Sequence, residues 1–271
     1  MSERSIEVAG QKIGYTESAG TGRPIVFIHG NSSSARTWQP VVAGPFGEQF
    51  RCLALDLPGH GRSAPAARPE DYCLPGYAAV LTEFVRATDA ANAVFVGWSL
   101  GGHIALEAAS DLPEAAGFFL YGTPPVGTAA DFAEAFLPNP AMNVGFTAEV
   151  DAPTAASYAT SFLAPDSAFP VDGFVADILA TDGAARVELF GSIGQGRFAD
   201  EVDIVAHLTR PLAILQGAGE QLVSLNYLRK LTAPTLWRGE VQVLAGAGHA
   251  PHQETPREFT ALLNDFVIDV G

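Results

Sequence analysis

The chain has 271 residues, enough for one large domain with its own core and an insertion. Hydrophobic residues make up 48% of it, which excludes a disordered chain, and 30 acids against 15 bases leave a formal charge of −15. So acidic a surface repels phosphate backbones and anionic lipids, which argues against nucleic-acid and membrane partners and for a neutral or weakly charged small molecule.

Short apolar runs alternate with longer helical patterns, the signature of a mostly parallel sheet covered by helices. Ser5–Val8 and Lys12–Thr16 flank Gly10 and predict an opening hairpin. Pro24–His29 is apolar enough for a central strand, and Arg51–Leu55 and Ala93–Trp98 predict two more, with a helical period over Leu74–Ala91 between them. Leu100–Ser110 predicts a helix rich in small residues, and Gly117–Tyr121 a strand. From Pro124 to Leu208 prolines recur and short amphipathic pieces such as Asp131–Leu137 and Gly173–Ala180 predict a helical insertion. The alternation then resumes: strand Pro211–Gln216, helix Leu222–Leu231, strand Glu240–Leu244 and closing helix Arg257–Val267. The expected organisation is an α/β core over 1–123 and 209–271 with a helical cap over 124–208.

The amino terminus lacks the basic start and apolar run of a signal peptide, and no segment approaches the roughly 20 apolar residues of a membrane span. The two cysteines, Cys52 and Cys73, form no disulfide framework, and a cytoplasmic location is expected.

Gly97-Trp98-Ser99-Leu100-Gly101-Gly102 fits Gly-x-Ser-x-Gly between an apolar strand and a small-residue helix, the context in which that motif carries a nucleophile. A sharp strand-to-helix turn exposes the Ser99 hydroxyl, and the helix start aims backbone N–H groups at a reacting oxyanion. The plainer alternative is a tight turn whose serine only caps the helix. Asn31, in the loop after the strand ending at His29, and Leu100 are the expected oxyanion donors through their backbone N–H groups.

Of the six histidines, His249 follows the last strand in a Gly246-Ala247-Gly248 loop and completes the order nucleophile, acid, base. His252 is the rival, three residues on. His29 and His60 suit loop and turn architecture, His103 packing beneath the nucleophile turn, and His207 lies in a polar stretch without pattern. Glu220 follows the Pro211–Gln216 strand, where a carboxylate can fix the imidazole tautomer; its plainer reading is a solvated loop acid.

With these residues in place, the sequence resembles the α/β-hydrolase superfamily, and within it the metal-independent N-acyl-homoserine lactone lactonases. The resemblance lies in His29–Ser34, Asp56–Gly61, Gly97–Ile104, Gly122–Val126, Thr181-Asp182-Gly183 with Arg186, and Ala247–Pro251. It implies an α/β-hydrolase fold, glutamate as the triad acid, and a cap tyrosine over the substrate, matched here by Tyr158. Trp98, the nucleophile's neighbour, is the second expected substrate contact. Gly219 departs from relatives that carry Asp before the Glu. Neither metal nor cofactor is expected, because the chain lacks the His-x-His-x-Asp-His run of zinc-dependent lactonases. A general carboxylesterase, a cofactor-free perhydrolase and a ligand receptor on a hydrolase fold stay open as alternatives.

Overall fold

A computed structural model describes residues 1–271. Eight strands form one sheet: β1 (Ser2–Val8), β2 (Gln11–Glu17), β3 (Pro24–Ile28), β4 (Arg51–Leu55), β5 (Val94–Trp98), β6 (Gly117–Tyr121), β7 (Leu212–Gly217) and β8 (Gln242–Leu244), in the order β1-β2-β4-β3-β5-β6-β7-β8. β1–β2 and β2–β4 pair antiparallel and all other neighbours parallel. Every residue of β5 and β6 is buried, which explains why these strands read as unbroken apolar runs rather than alternating ones.

Three helices differ from expectation, each for a local reason. The helix from Leu74 stops at Ala87 because Asp89 turns left-handed at φ 52° and the Ala90 N–H closes back onto the Val85 carbonyl at 2.9 Å. The helix after Ser99 runs only over Leu100–Glu107 before tightening to a 3₁₀ turn. Most of Leu222–Leu231 is not helical. Leu137 N–H donates to the Leu222 carbonyl and Ser224 N–H to the Ala135 carbonyl, both at 2.9 Å, so this stretch pairs with the insertion and leaves Leu225–Leu228 as the only helix.

Between β6 and β7 lie five α-helices: Ala129–Ala135, Ala152–Thr160, Asp172–Ala180, Gly183–Gly194 and Glu201–His207. Phe162, Phe174, Ile178 and Leu189 from this region belong to the same 69-residue apolar cluster as the sheet, so cap and core share one interior. No helix is long and apolar enough to cross a membrane, and both cysteines are free and buried.

Candidate active site

β5 ends in a turn that leaves Ser99 at φ 53° and ψ −119°, a strained conformation for a residue with a side chain. The turn needs glycine beside it: a Cβ on Gly97 would lie 2.5 Å from the Gly102 Cα. The strain is held by β6. Ser99 N–H donates to the Tyr121 carbonyl at 2.9 Å, and Thr123 Oγ1 donates to the Ser99 carbonyl at 2.8 Å.

The ring of His249 stands over the same strand end. A Cβ on Gly122, between Tyr121 and Thr123, would lie 2.6 Å from the His249 Cε1. His249 Nδ1 donates to Glu220 Oε2 at 2.8 Å, and both side chains are only 3% exposed. Glu220 Oε1 accepts from the Leu222 N–H at 2.8 Å. Glu220, His249 and Ser99 thus gather at the carboxyl ends of β5 to β8. The Ser99 hydroxyl makes no hydrogen bond within the protein.

Asn31 lies beside Ser99, since a Cβ on the preceding Gly30 would be 3.2 Å from the Ser99 Cβ. The Asn31 N–H has no acceptor in the protein, and Leu100, as first residue of its helix, has no intrahelical acceptor for its own. The Asn31 side chain is held by the cap, its Nδ2 donating to the Gly145 carbonyl at 2.8 Å. Tyr158 comes to the same place: a Cβ on Gly145 would lie 2.7 Å from the Tyr158 hydroxyl and 3.2 Å from Asn31 Nδ2. Burial pushes the Tyr158 phenol above its ordinary range, so it stays protonated.

Trp98 is held by both its N–H and its ring. Its indole N–H donates to the His249 carbonyl at 2.9 Å, and its buried ring packs on Phe162, Phe174 and His252. It braces the His249 loop from beneath.

The other histidines are engaged elsewhere. His252 Nε2 lies 2.7 Å from Thr37 Oγ1 in a fully buried position, and burial drives its pKa well below the ordinary value. His29 Nε2 accepts from the Leu57 N–H at 3.0 Å and His60 Nε2 from the Ser32 N–H at 3.3 Å. Burial lowers these two imidazoles to about 4 and about 3. Both therefore stay neutral and hold the loops on which Asn31 sits. His103 donates to the fully buried Glu201 at 2.8 Å, and His207 is exposed beside Asp203.

The Thr181-Asp182-Gly183 segment anchors the cap. Asp182 accepts from the Tyr72 hydroxyl at 2.6 Å, and its N–H donates to the Gly59 carbonyl at 2.9 Å. The buried Arg186 gathers the carbonyls of Thr147 (2.6 Å), Ala148 (2.8 Å) and Ile178 (3.1 Å). Two surface clefts of about 330 and 550 Å³ flank Arg36 and Asp177 along the cap, and neither is lined by Ser99 or His249.

Sequence reasoning passed over Glu254 and Thr123, both bonded to the backbone of this centre. A carboxylate five residues after His249 was the available signal for the first; the second lies in the Gly122–Val126 stretch, which carried no role for it.

Residues 25–262 match the Alpha/beta hydrolase family. N-acyl homoserine lactonase AidH, in a variant complexed with N-hexanoyl homoserine lactone, superposes with a TM-score of 0.95 at 36% identity, covering 100% of this chain and 98% of that one. The pimeloyl-[acyl-carrier protein] methyl ester esterase of Serratia marcescens is 27% identical over 93% of this chain and 97% of its own. The biotin biosynthesis bifunctional protein BioHC of Teredinibacter turnerae is 27% identical over 90% of this chain, which spans only 44% of that protein. A putative aryl esterase from Burkholderia cenocepacia shares the fold, with a TM-score of 0.82 at 22% identity.

Proposed function

The chain belongs to the Alpha/beta hydrolase family, and from that premise we propose that it is a serine hydrolase opening the lactone ring of N-acyl homoserine lactones. One observation carries the choice of substrate: the likeness to an N-acyl homoserine lactonase runs through the whole of both chains, cap included.

In this reading the Ser99 oxygen attacks the lactone carbonyl as its proton passes to His249 Nε2. Glu220, on the other ring nitrogen, fixes the tautomer and stabilises the imidazolium as it forms. The oxyanion lies between the N–H groups of Asn31 and Leu100, at the start of a helix whose dipole favours negative charge. Collapse breaks the ring ester bond, and His249 gives its proton to the leaving alkoxide, which stays tethered to the acyl-enzyme. Water, deprotonated by the same imidazole, attacks next, releasing the open-chain carboxylic acid and Ser99. The substrate is uncharged, which suits a chain of formal charge −15. Tyr158 and the Asn31 amide would meet the polar amide of the substrate, and Phe162 and Phe174 its acyl chain.

A pH-stat panel of short- and long-chain N-acyl homoserine lactones, aryl esters and methyl esters tests this, with kcat/KM expected to be highest on a lactone. Ester turnover with no lactone opening would move the reading to a carboxylesterase, and peroxide-dependent halogenation to a perhydrolase. Binding without multiple turnover would make it a receptor. Ser99→Ala is expected to abolish turnover with an unchanged circular dichroism spectrum. Since every reacting group is a side chain or backbone amide, activity is expected to survive EDTA.

A further inference from the structure

Glu254, in none of the roles above, closes the short helix Pro251–Glu254 with its two oxygens turned to different parts of the molecule. Oε2 accepts from the N–H of Gly248, the residue before His249, at 2.7 Å. Oε1 accepts from the N–H of Ala164, in the cap, at 2.9 Å. The two residues before Ala164 are tied to the same region. The Phe162 carbonyl accepts from the Ala250 N–H at 2.9 Å, and the Leu163 carbonyl from Gln221 Nε2 at 2.7 Å. Three consecutive cap residues therefore bond to the loops that carry His249 and Glu220. The contact is close: a Cβ on Gly248 would lie 2.5 Å from the Ala164 nitrogen. The Phe162 ring faces the imidazole of His249 with 5.9 Å between centroids.

Resting on the hydrolase reading, we propose that Glu254 is a positioning residue that clamps the cap segment Phe162–Ala164 to the loop bearing His249, holding the imidazole in place while the cap is seated. The loop needs such a tie. Gly246 is exposed and left-handed at φ 72°, and Gly248 offers no side chain to pack. A carboxylate accepting from two backbone N–H groups makes charge-assisted bonds, roughly twice as strong as neutral ones. A loosened loop lowers the fraction of molecules whose base can reach the nucleophile, and a displacement of about 1 Å can cost about a hundredfold in rate.

The test compares Glu254→Ala, Glu254→Gln and Ser99→Ala in the full chain. Active serine is titrated with a fluorophosphonate, and kcat and KM are measured per titrated serine on the best substrate of the panel. Glu254→Ala is expected to lower kcat about tenfold or more while KM moves less than about threefold. Glu254→Gln keeps one acceptor oxygen and is expected to recover part of the loss. A merely structural residue would lower the titrated fraction and leave the rate per serine unchanged. A kcat in Glu254→Ala within about twofold of the parent overturns the proposal, and if that variant does not fold, Glu254→Gln decides by the same criterion. Turnover surviving in Ser99→Ala would instead overturn the hydrolase reading beneath it.

Discussion

Glu220 divides its carboxylate between two donors: Oε2 receives the Nδ1–H of His249 and Oε1 the N–H of Leu222, each at 2.8 Å. Glu220→Gln keeps the shape, and its amide oxygen can still accept from Leu222. Its NH₂ group must then face Nδ1, which turns that nitrogen into an acceptor and moves the ring proton to Nε2, the atom that receives the Ser99 proton in the mechanism we propose. The expected result is a fall in kcat of ~10³–10⁴-fold, about 4–5.5 kcal/mol of barrier, with KM little changed. Steady-state kinetics on the best substrate check it; a loss below tenfold would remove Glu220 from this role. Trp98 shows what local pattern leaves out: its N–H donates to a carbonyl 151 positions away, and nothing near it in the sequence encodes that bond.

Strands were legible wherever burial on both faces leaves an unbroken apolar run, as in β4 and β6, whose bounds in the sequence and in the structure coincide. The short β8 and the helix expected over Leu222–Leu231 were less so. Their apolar residues serve a sheet edge and a pairing with the cap, and neither partner is near in sequence. The strand-to-helix turn at Ser99 was legible because its signal is local, glycines about a serine between an apolar run and a small-residue helix. The strap Phe162–Ala164 was not, because only the folded chain lays it across the two loops it binds. That strap also explains Gly219, the departure from relatives with an acid at this position. A Cβ there would lie 2.7 Å from the Ala164 Cβ, so any side chain must push the acid loop and the strap apart. Gly219→Ala is therefore expected to destabilise the protein by ~1–3 kcal/mol, read as a lower Tm, through overpacking rather than loss of a bond. An unchanged or raised Tm would show that the strap yields freely, which would also weaken the clamp assigned to Glu254.

The molecule as a whole holds His29, His60 and His252 neutral in its interior and raises the Asp177 carboxyl to about 6, and these two classes of group pull stability in opposite directions with pH. The three imidazoles are fully buried, with pKa values lowered by desolvation to about 4 for His29, to about 3 for His60 and well below the ordinary value for His252. Released by unfolding, each regains a pKa near 6.5, so between about pH 4.5 and 6 the unfolded chain binds the extra protons and stability falls as pH falls. Asp177 is the reverse. Burial raises its carboxyl to about 6 despite the Arg36 guanidinium 2.7 Å away, so in the same window the folded state holds the extra proton and stability rises as pH falls. Three protons gained against one lost leave these groups a net uptake of about two on unfolding, a slope of roughly 2.7 kcal/mol per pH unit near pH 5. Urea unfolding from pH 7 to pH 4.5 measures it. His60→Asn is expected to flatten the dependence by about 1.4 kcal/mol per pH unit, and Asp177→Asn to steepen it by a similar amount, whatever either substitution does to stability at pH 7. Because His60 supports the loop of Asn31 while Asp177 joins the cap to Ser34 and Arg36, the opposite signs separate protonation of the core from protonation of the cap contact. Slopes that shift in the same direction for both variants are incompatible with this assignment.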